Sequence, residues 1–317
     1  MVQVSGTNAR FLQTPVVLSE VMRVMEPNLV WLDKIPFIDT QGQPVIYGIQ
    51  NNASSDAKKQ TPRIMTPSAS FPEVQISRMT KGTALTVAEG LSIRFDKSAL
   101  TLPAGKDMIS DGLSKVAYWL AEYMNSNIYA GLDAGSTDSG ITVSSQWSVD
   151  ATATPDADLK AFANSMIREG YPYRMTDIFL ENVNFNELEA FLMASPRIID
   201  YNSVMGRANQ DEIRLPGGGI AHRMLSSVTH GDLLGIDAVN KSAAACYYNN
   251  DSMFSTPMSI SYETVVEGKP TMKTVPNFGL STHQYFEDDT HDTVVQLWID
   301  SVTKVKDAYG IISENGI

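Results

Sequence analysis

The 317-residue chain has a single cysteine, Cys246, and no apolar run close to the roughly 20 residues that cross a membrane as a helix. One thiol excludes an internal disulfide framework and a zinc site built on several cysteines. The apolar surroundings of Cys246, residues 243–247, predict a small core residue rather than a nucleophile. Residues 1–10 lack the apolar core of a secretion signal, so we expect a soluble protein made in a reducing compartment.

Charged residues are also scarce, at 19% of the chain against 43% hydrophobic residues, which excludes a disordered acidic protein. The net charge of −12 is unevenly placed. Residues 1–120 hold 12 basic and 10 acidic side chains, whereas the remaining 197 residues hold 12 and 26. An assembly uses such a split if the neutral part of one copy lies across the acidic part of another, although chance also explains it.

The sequence lacks the common signatures of catalysis, including Gly-x-Ser-x-Gly, His-Glu-x-x-His and a phosphate-binding loop with lysine. The triplet 217–219 is all glycine but has no lysine, which favours a hinge. One cluster offers oxygen and imidazole donors for a metal, or else forms a solvated turn between strands: Glu287, Asp288, Asp289, His291 and Asp292. Because no nucleophile, base and orienting group come together, we expect no enzymatic activity, cofactor or metal.

The first third of the chain predicts two elements, neither of which can bury its apolar side chains in a core of its own. Residues 1–36 predict an extended arm with a short amphipathic piece, and such an arm cannot form its own core. Residues 37–95 alternate with period two on both sides of the polar stretch 51–70, which predicts a long hairpin with a mobile tip. Two-stranded ribbons are marginal in isolation, so the hairpin is expected to lean on a partner subunit, although an ordinary surface hairpin fits the same pattern.

The clearest helix spans residues 103–131 and would be roughly 40 Å long at 1.5 Å per residue. Trp119 and Tyr123 are expected to widen its apolar stripe, which steps by three and four through Ile109, Leu113, Val116, Leu120, Met124 and Ile128.

A compact α/β lobe is predicted next, with a helix after Pro155, a buried strand at 178–180 and a second helix whose Asn184 and Glu187 form a capping box. Residues 258–306 predict mostly β structure that ends in one long strand from Val295 to Val305.

This order of arm, hairpin, long helix, α/β lobe and terminal strand resembles that of tailed-virus major capsid proteins with the Hong Kong 97-type coat fold. Three local stretches are similar as well: 91–95 before a helix ending at 128–131, Gly170-Tyr171-Pro172 followed by 177–180, and 292–312. The resemblance covers most of the chain but is one of element order, and no single motif is diagnostic.

The resemblance implies an α+β, Hong Kong 97-like capsid fold with an extended β-hairpin loop, a peripheral domain that holds the long spine helix, and an axial α/β domain. Its implied divisions are an N-terminal arm at 1–36, the loop at 37–91, a peripheral domain at 92–156 and 260–306, and an axial domain at 157–259 and 307–317.

The resemblance also implies a function, that of a coat protein whose hexamers and pentamers form an icosahedral shell around double-stranded DNA. The expected location is the virion capsid after assembly in the host cytoplasm. The expected partners are other copies, a portal, a decoration protein and non-specifically bound DNA, with no membrane. Because residue 1 falls directly in the arm, any scaffold is expected to be a separate protein.

Two sets of side chains are expected to serve this function. Contacts between subunits are expected from Lys58, Lys59, Arg63 and Arg78. Contacts with DNA are expected from Arg10, Arg23, Lys106 and Lys115. Two alternatives stay open, an encapsulin-like compartment shell of the same fold and a soluble metal-dependent enzyme that uses the 287–292 cluster.

Overall fold

The computed structural model describes residues 9–40, 42–49, 80–138, 147, 154–167, 171–194, 211–215, 219–224, 233–250, 257–266, 268–287 and 292–314. Its helices are α1 (Thr14–Asn28), α2 (Lys97–Thr101), α3 (Gly105–Asp133), α4 (Pro155–Met166) and α5 (Asn182–Ala194). Short 3-10 helices cover Ala9–Leu12 and Ala308–Gly310. None of the helices among these residues is long and apolar enough to span a membrane.

The strands of the first half are β1 (Phe37–Asp39), β2 (Val45–Ile49), β3 (Thr80–Ala84), β4 (Val87–Phe95), β5 (Thr137–Asp138), β6 (Asp177–Glu181) and β7 (Glu212–Arg214). Those of the second half are β8 (Ile220–Met224), β9 (Leu233–Ile236), β10 (Ala244–Tyr248), β11 (Ser259–Val266), β12 (Lys269–Pro276), β13 (Leu280–Glu287), β14 (Asp292–Val305) and β15 (Ile311–Glu314).

The first sheet is built around β14, the long strand that the alternation after Val295 predicted. Its order is β1-β10-β14-β13, and β4 also pairs with β14. Ser301 of β14 pairs with Tyr248 of β10 and with Val87 of β4, so β10 and β4 lie on opposite edges of β14. A strand with both edges occupied and alternating apolar side chains forms the centre of this layer.

Helix α3 packs on the first sheet, close to the bounds that the apolar stripe predicted. Two glycines near its C-terminal end permit a close approach. A Cβ on Gly131 would lie 2.9 Å from the Thr303 Cβ, and one on Gly135 would lie 2.6 Å from the Val305 Cβ. Small residues at these two positions therefore bring the end of the helix directly onto β14.

Helix α1 forms where the amphipathic piece was predicted, and it packs against α3 and β11 of its own chain. The expectation that residues 1–36 find no cover on their own chain is therefore wrong for the described part of that segment. Most of the cover comes from α3 and β11, which are distant in sequence and for which the local pattern gives no signal. The buried side chains of α1 are Val17, Leu18, Val21, Met22 and Met25.

The base of the predicted hairpin is present, because β2 pairs with β3 in antiparallel register from Val45–Ala84 to Ile49–Thr80. After this base, β4 leaves the hairpin and joins β14. The predicted tip, with Lys58, Lys59 and Arg63, lies outside the described residues, and so does Arg78 of the predicted returning strand.

The second sheet has the order β5-β15-β9-β6-β8-β7. Along the chain, α4 precedes β6 of this sheet and α5 follows it. Helix α5 begins at Asn182, two residues before the predicted cap. Asn184 is fully buried and its side-chain oxygen and nitrogen make no hydrogen bond, so the predicted capping box is wrong. One continuous apolar core contacts both sheets, and Trp31 stacks on Phe179 within it at 3.9 Å between ring centroids.

Candidate functional site

An apolar groove runs along the outer side of α3, where the helix meets β4. Trp119 is 53% exposed, Tyr123 is 39% exposed and Leu91 of β4 is 41% exposed. With Glu89, Gly90 and Leu120 they line a groove of about 510 Å³. Trp119 and Tyr123 were expected to widen the apolar stripe of α3. They are exposed because the side chains of Leu120 and Met124 already fill the space beneath the helix.

The wall of this groove is held by the backbone of β4. Gly90 lies opposite Trp298 of β14, and a Cβ on Gly90 would lie 2.2 Å from the Leu297 carbonyl oxygen. Asn127 of α3 donates a hydrogen bond of 3.2 Å to Glu89 of the same strand. The helix and the strand therefore present the groove as one rigid unit rather than as loose surface side chains.

A second apolar surface is the tip of the ribbon formed by β11 and β12. Antiparallel pairing places Val265 opposite Pro270 and Glu263 opposite Met272, so these four side chains share one face. Val265 is 69% exposed and Met272 is 65% exposed. Within the described part of the chain these two strands pair only with each other, so the tip has no sheet to cover it.

The base of the same ribbon is anchored firmly to α1. Glu26 is buried, accepts a hydrogen bond from the Tyr262 hydroxyl and lies 2.6 Å from Lys273 Nζ. Burial first, and then the hydrogen bond to Glu26 and its charge, raise the pKa of Tyr262 well above its usual range. Ser19 also donates to the Ser261 carbonyl at 3.0 Å. The ribbon is thus fixed at one end and free at its apolar end.

A third apolar surface lies at the base of the extended hairpin, where Ile46, Leu85 and Val87 are each more than half exposed. Large exposed apolar patches on a folded chain mark sites of association. Tryptophan, tyrosine and methionine, which supply the groove and the ribbon tip, are also the residue types enriched in protein interfaces. The candidate functional site is therefore this set of three surfaces, and the sequence singled out only the hairpin.

Three of the four side chains expected to contact DNA lie together where the chain enters α1 and α3. The Arg10 guanidinium carbon lies 4.8 Å from the Phe11 ring centroid, and Lys106 Nζ lies 5.4 Å from the same ring. Arg23 pairs with Glu20 at 2.7 Å. The hydrogen bond from Arg23 is the largest cause that lowers the pKa of Glu20, and the charge of Lys106 also contributes. We call Arg10, Arg23 and Lys106 the basic spot.

The fourth of these side chains, Lys115, stands apart from the basic spot, because nine residues of helix separate it from Lys106 by about 14 Å. It forms an exposed ion pair of 2.7 Å with Asp111, one helical turn away. The structure does not bring it together with the other three.

The described residues contain no group of three or more His, Cys, Asp or Glu side chains that could hold a metal ion. Asp288, Asp289 and His291 of the 287–292 cluster lie outside those residues, so that hypothesis is untested. Glu287 instead accepts hydrogen bonds from Arg94. Cys246 is buried, and burial raises the pKa of its thiol to about 12, as expected for a core residue.

Comparison with solved structures gives close agreement in fold at low sequence identity. No family model matches the chain, and no curated protein matches its sequence. A virus-like particle from Pyrococcus furiosus matches with a TM-score of 0.54 and 8% identity over 94% of this chain and 97% of the other.

Two further matches are shell proteins as well. The capsid of a native GTA particle matches with a TM-score of 0.53 and 9% identity, over 91% of this chain and 90% of the other. The capsid of the cyanophage P-SCSP1u matches at 0.51 and 11%, over 91% and 88%. The chain therefore has the α+β, Hong Kong 97-like fold that the order of its elements implied.

Proposed function

We propose that this chain is a major capsid protein, which assembles as hexamers and pentamers into an icosahedral shell around the double-stranded DNA of a tailed virus. The observation that carries the proposal is the match in fold to shell proteins over more than nine-tenths of the chain. The exposed groove, ribbon tip and hairpin base support it independently, because each presents large exposed apolar side chains among the residues that the structure describes. In this proposal the activity is mechanical rather than catalytic.

The physical basis of assembly is repetition. Burying one large apolar side chain contributes about 1.5–3 kcal/mol, which is too little for a stable pair of copies after the cost of association. Each copy carries three exposed apolar surfaces, and in a closed shell all three are buried against neighbouring copies at once. A copy held by several neighbours dissociates only when every contact breaks, so weak individual contacts give a durable particle.

The net negative charge of the chain suits a shell whose wall binds the enclosed DNA only weakly. The net charge of −12 repels phosphate, so packaged DNA is free to slide and to leave. We propose that the basic spot supplies the few phosphate contacts that the wall makes. Lys115 is a separate candidate, because it lies about 14 Å from Lys106 along α3.

The test of the proposed function is sedimentation velocity of the purified chain at several protein and salt concentrations, with negative-stain imaging of the fast fraction. We expect large closed particles that appear above a threshold concentration. Particles purified from producing cells should protect DNA from nuclease. A single monomeric species at every concentration and salt would contradict shell formation, and particles without protected DNA would contradict the viral assignment.

A further inference from the structure

A polar cleft of about 390 Å³ separates the middle of α3 from the edge of the second sheet. One wall is formed by Tyr118, Glu122 and Asn125 of α3. The facing wall is formed by residues 211–212 and 222–224 of the β7–β8 edge. The floor is the chain between α1 and β1, residues 29–35, which we call the connector.

The connector is bonded to the α3 wall through one residue, Asn125, which uses both its side chain and its backbone carbonyl. The Val30 amide donates to Asn125 Oδ1 at 3.2 Å, and the Trp31 indole donates to the Asn125 carbonyl at 3.2 Å. Asn125 Nδ2 in turn donates to the Asn28 carbonyl at 2.8 Å. The first two bonds fix the connector to the long helix, and the third fixes the last residue of α1 to it.

The connector is bonded to the second sheet through a buried charged cluster. Lys34 Nζ donates to Asp177 Oδ1 at 2.7 Å. His222 Nε2 also lies 2.7 Å from that oxygen, and its Nδ1 lies 3.2 Å from Glu212. Trp31 stacks on Phe179, which stacks on His222 at 4.9 Å. The connector therefore bridges the two walls of the cleft through contacts of defined geometry.

Negative charges on the two walls of the cleft repel each other and oppose this bridge. Glu122 stands on the α3 wall, and Asp211 and Glu212 stand on the facing wall. Burial, then the hydrogen bond with Glu122, and then the charge of Asp211 raise the pKa of Tyr118, so Asp211 acts across the gap. Arg223 offsets part of this repulsion, at 3.7 Å from Asp211 and 3.9 Å from Glu189. Facing carboxylates favour a wider cleft.

We propose that the connector is a staple that holds this cleft closed against the repulsion of its walls, and that the Lys34–Asp177 ion pair is the contact whose loss lets the two sheets move apart. The staple sets the angle between the first and second sheets in a single copy. If the chain forms shells, as the proposed function states, that angle sets the curvature that each copy imposes on the wall.

Hydrogen exchange of the full-length chain below its assembly threshold tests the staple directly. Lys34→Met keeps the aliphatic stem and removes the charge. We expect backbone amides of the connector and of β7 to exchange on the order of tenfold faster in this variant. Adding Glu122→Gln removes repulsion across the cleft and should slow exchange again. Exchange in Lys34→Met equal to that of the natural chain would overturn the proposal.

Two further variants keep the test decisive. Lys115→Met breaks an ion pair of equal length, 2.7 Å, on the exposed side of α3, and should leave exchange at both segments unchanged. Asp177→Asn keeps the shape of the carboxylate and replaces Lys34→Met if that variant does not fold. Fast exchange in all variants, including Lys115→Met, would show general loosening and would also overturn the proposal.

Negative-stain imaging then separates the staple from the proposed function. We expect the natural chain to give shells of one diameter and Lys34→Met to give a wider spread of diameters. Identical diameters would overturn the link between the staple and curvature while leaving shell formation intact. If the natural chain forms no particles, the proposed function fails, and the exchange measurement still decides whether the staple exists.

Discussion

Asp177 shows how a single buried carboxylate can be held in its charged state. Burial opposes its ionisation, but hydrogen bonds from His222, Lys34 and Thr176 outweigh that cost and lower the pKa of the carboxyl to about 2. Its partners come from the connector, from β8 and from the preceding residue. The charged form is thus stabilised only when the second sheet and the connector are in place.

The contribution of Asp177 to the free energy of unfolding should depend on pH. Its pKa in the folded chain is below the ordinary value of 3.8, so the contribution is complete above that value and is lost as the pH falls toward about 2. We expect Asp177→Asn to lower the free energy of unfolding by about 1–3 kcal/mol near neutral pH, and by progressively less between pH 4 and 2. Urea titrations over this range measure the difference.

The matched control for this titration is Asp111→Asn, which breaks an exposed ion pair with Lys115. We expect it to change the free energy of unfolding by less than about 0.5 kcal/mol at any pH. A constant deficit for Asp177→Asn from neutral pH down to pH 2 would show that packing, rather than charge, explains the effect of the substitution.

Among the elements, two tryptophans, Trp31 of the connector and Trp119 of α3, separate stability from assembly. Trp31 is fully buried, whereas Trp119 is half exposed in the groove. We expect Trp31→Ala to cost about 3–5 kcal/mol of folding free energy, and Trp119→Ala to change it by less than about 0.5 kcal/mol. Trp119→Ala should nevertheless raise the threshold concentration for assembly by about tenfold or more, because interface tryptophans carry much of the binding energy.

Chemical denaturation and sedimentation of the same two preparations test this contrast. Normal assembly of Trp119→Ala would remove the groove from the set of interfaces. A large loss of folding stability in Trp119→Ala would show instead that the ring supports the helix of its own chain.

The contact between β4 and β14 depends on a residue without a side chain. Since a Cβ on Gly90 would collide with the Leu297 carbonyl, we expect Gly90→Ala to destabilise the chain by about 1–3 kcal/mol. Ser92→Ala, two residues along the same strand and exposed, is the control and should be nearly neutral. Thermal unfolding compares the two variants, and equal melting temperatures would argue against a close approach at Gly90.

Periodicity predicted the elements whose signal is local, such as α3, α4, β6 and β14. It failed where the partner is distant in sequence. The sequence near α1 does not indicate that Tyr262 and Lys273 bind Glu26, so the arm was expected to find no packing partner in its own chain. Trp119 was assigned only to the apolar stripe of α3, because an apolar side chain at helical spacing fits either a buried stripe or an interface. The pattern alone does not distinguish the two.

The ribbon tip was also missed as a functional surface, although a signal was present. Val265 and Val266 directly precede the turn at Gly268, where a positive φ of 77° suits glycine. Two adjacent valines beside a tight turn leave at least one apolar side chain on each face of a two-stranded ribbon. Such a ribbon has no further strand to cover both faces, which indicates a surface for association.

In the molecule as a whole, a partner is needed at surfaces other than the arm. The described part of the arm is covered by its own chain, whereas the groove, the hairpin base and the ribbon tip expose apolar side chains within the described part of the chain. Three exposed apolar surfaces in different places allow one copy to contact more than one neighbour at once, which a closed assembly requires and a simple dimer does not.

The most direct test of the central claim is a cryo-electron microscopy reconstruction of the particles that the purified chain forms. The account predicts a closed icosahedral shell in which Trp119, Val265 and Met272 are buried against neighbouring copies. A shell in which all three side chains face solvent, or a chain that forms no particles at any concentration, would contradict it.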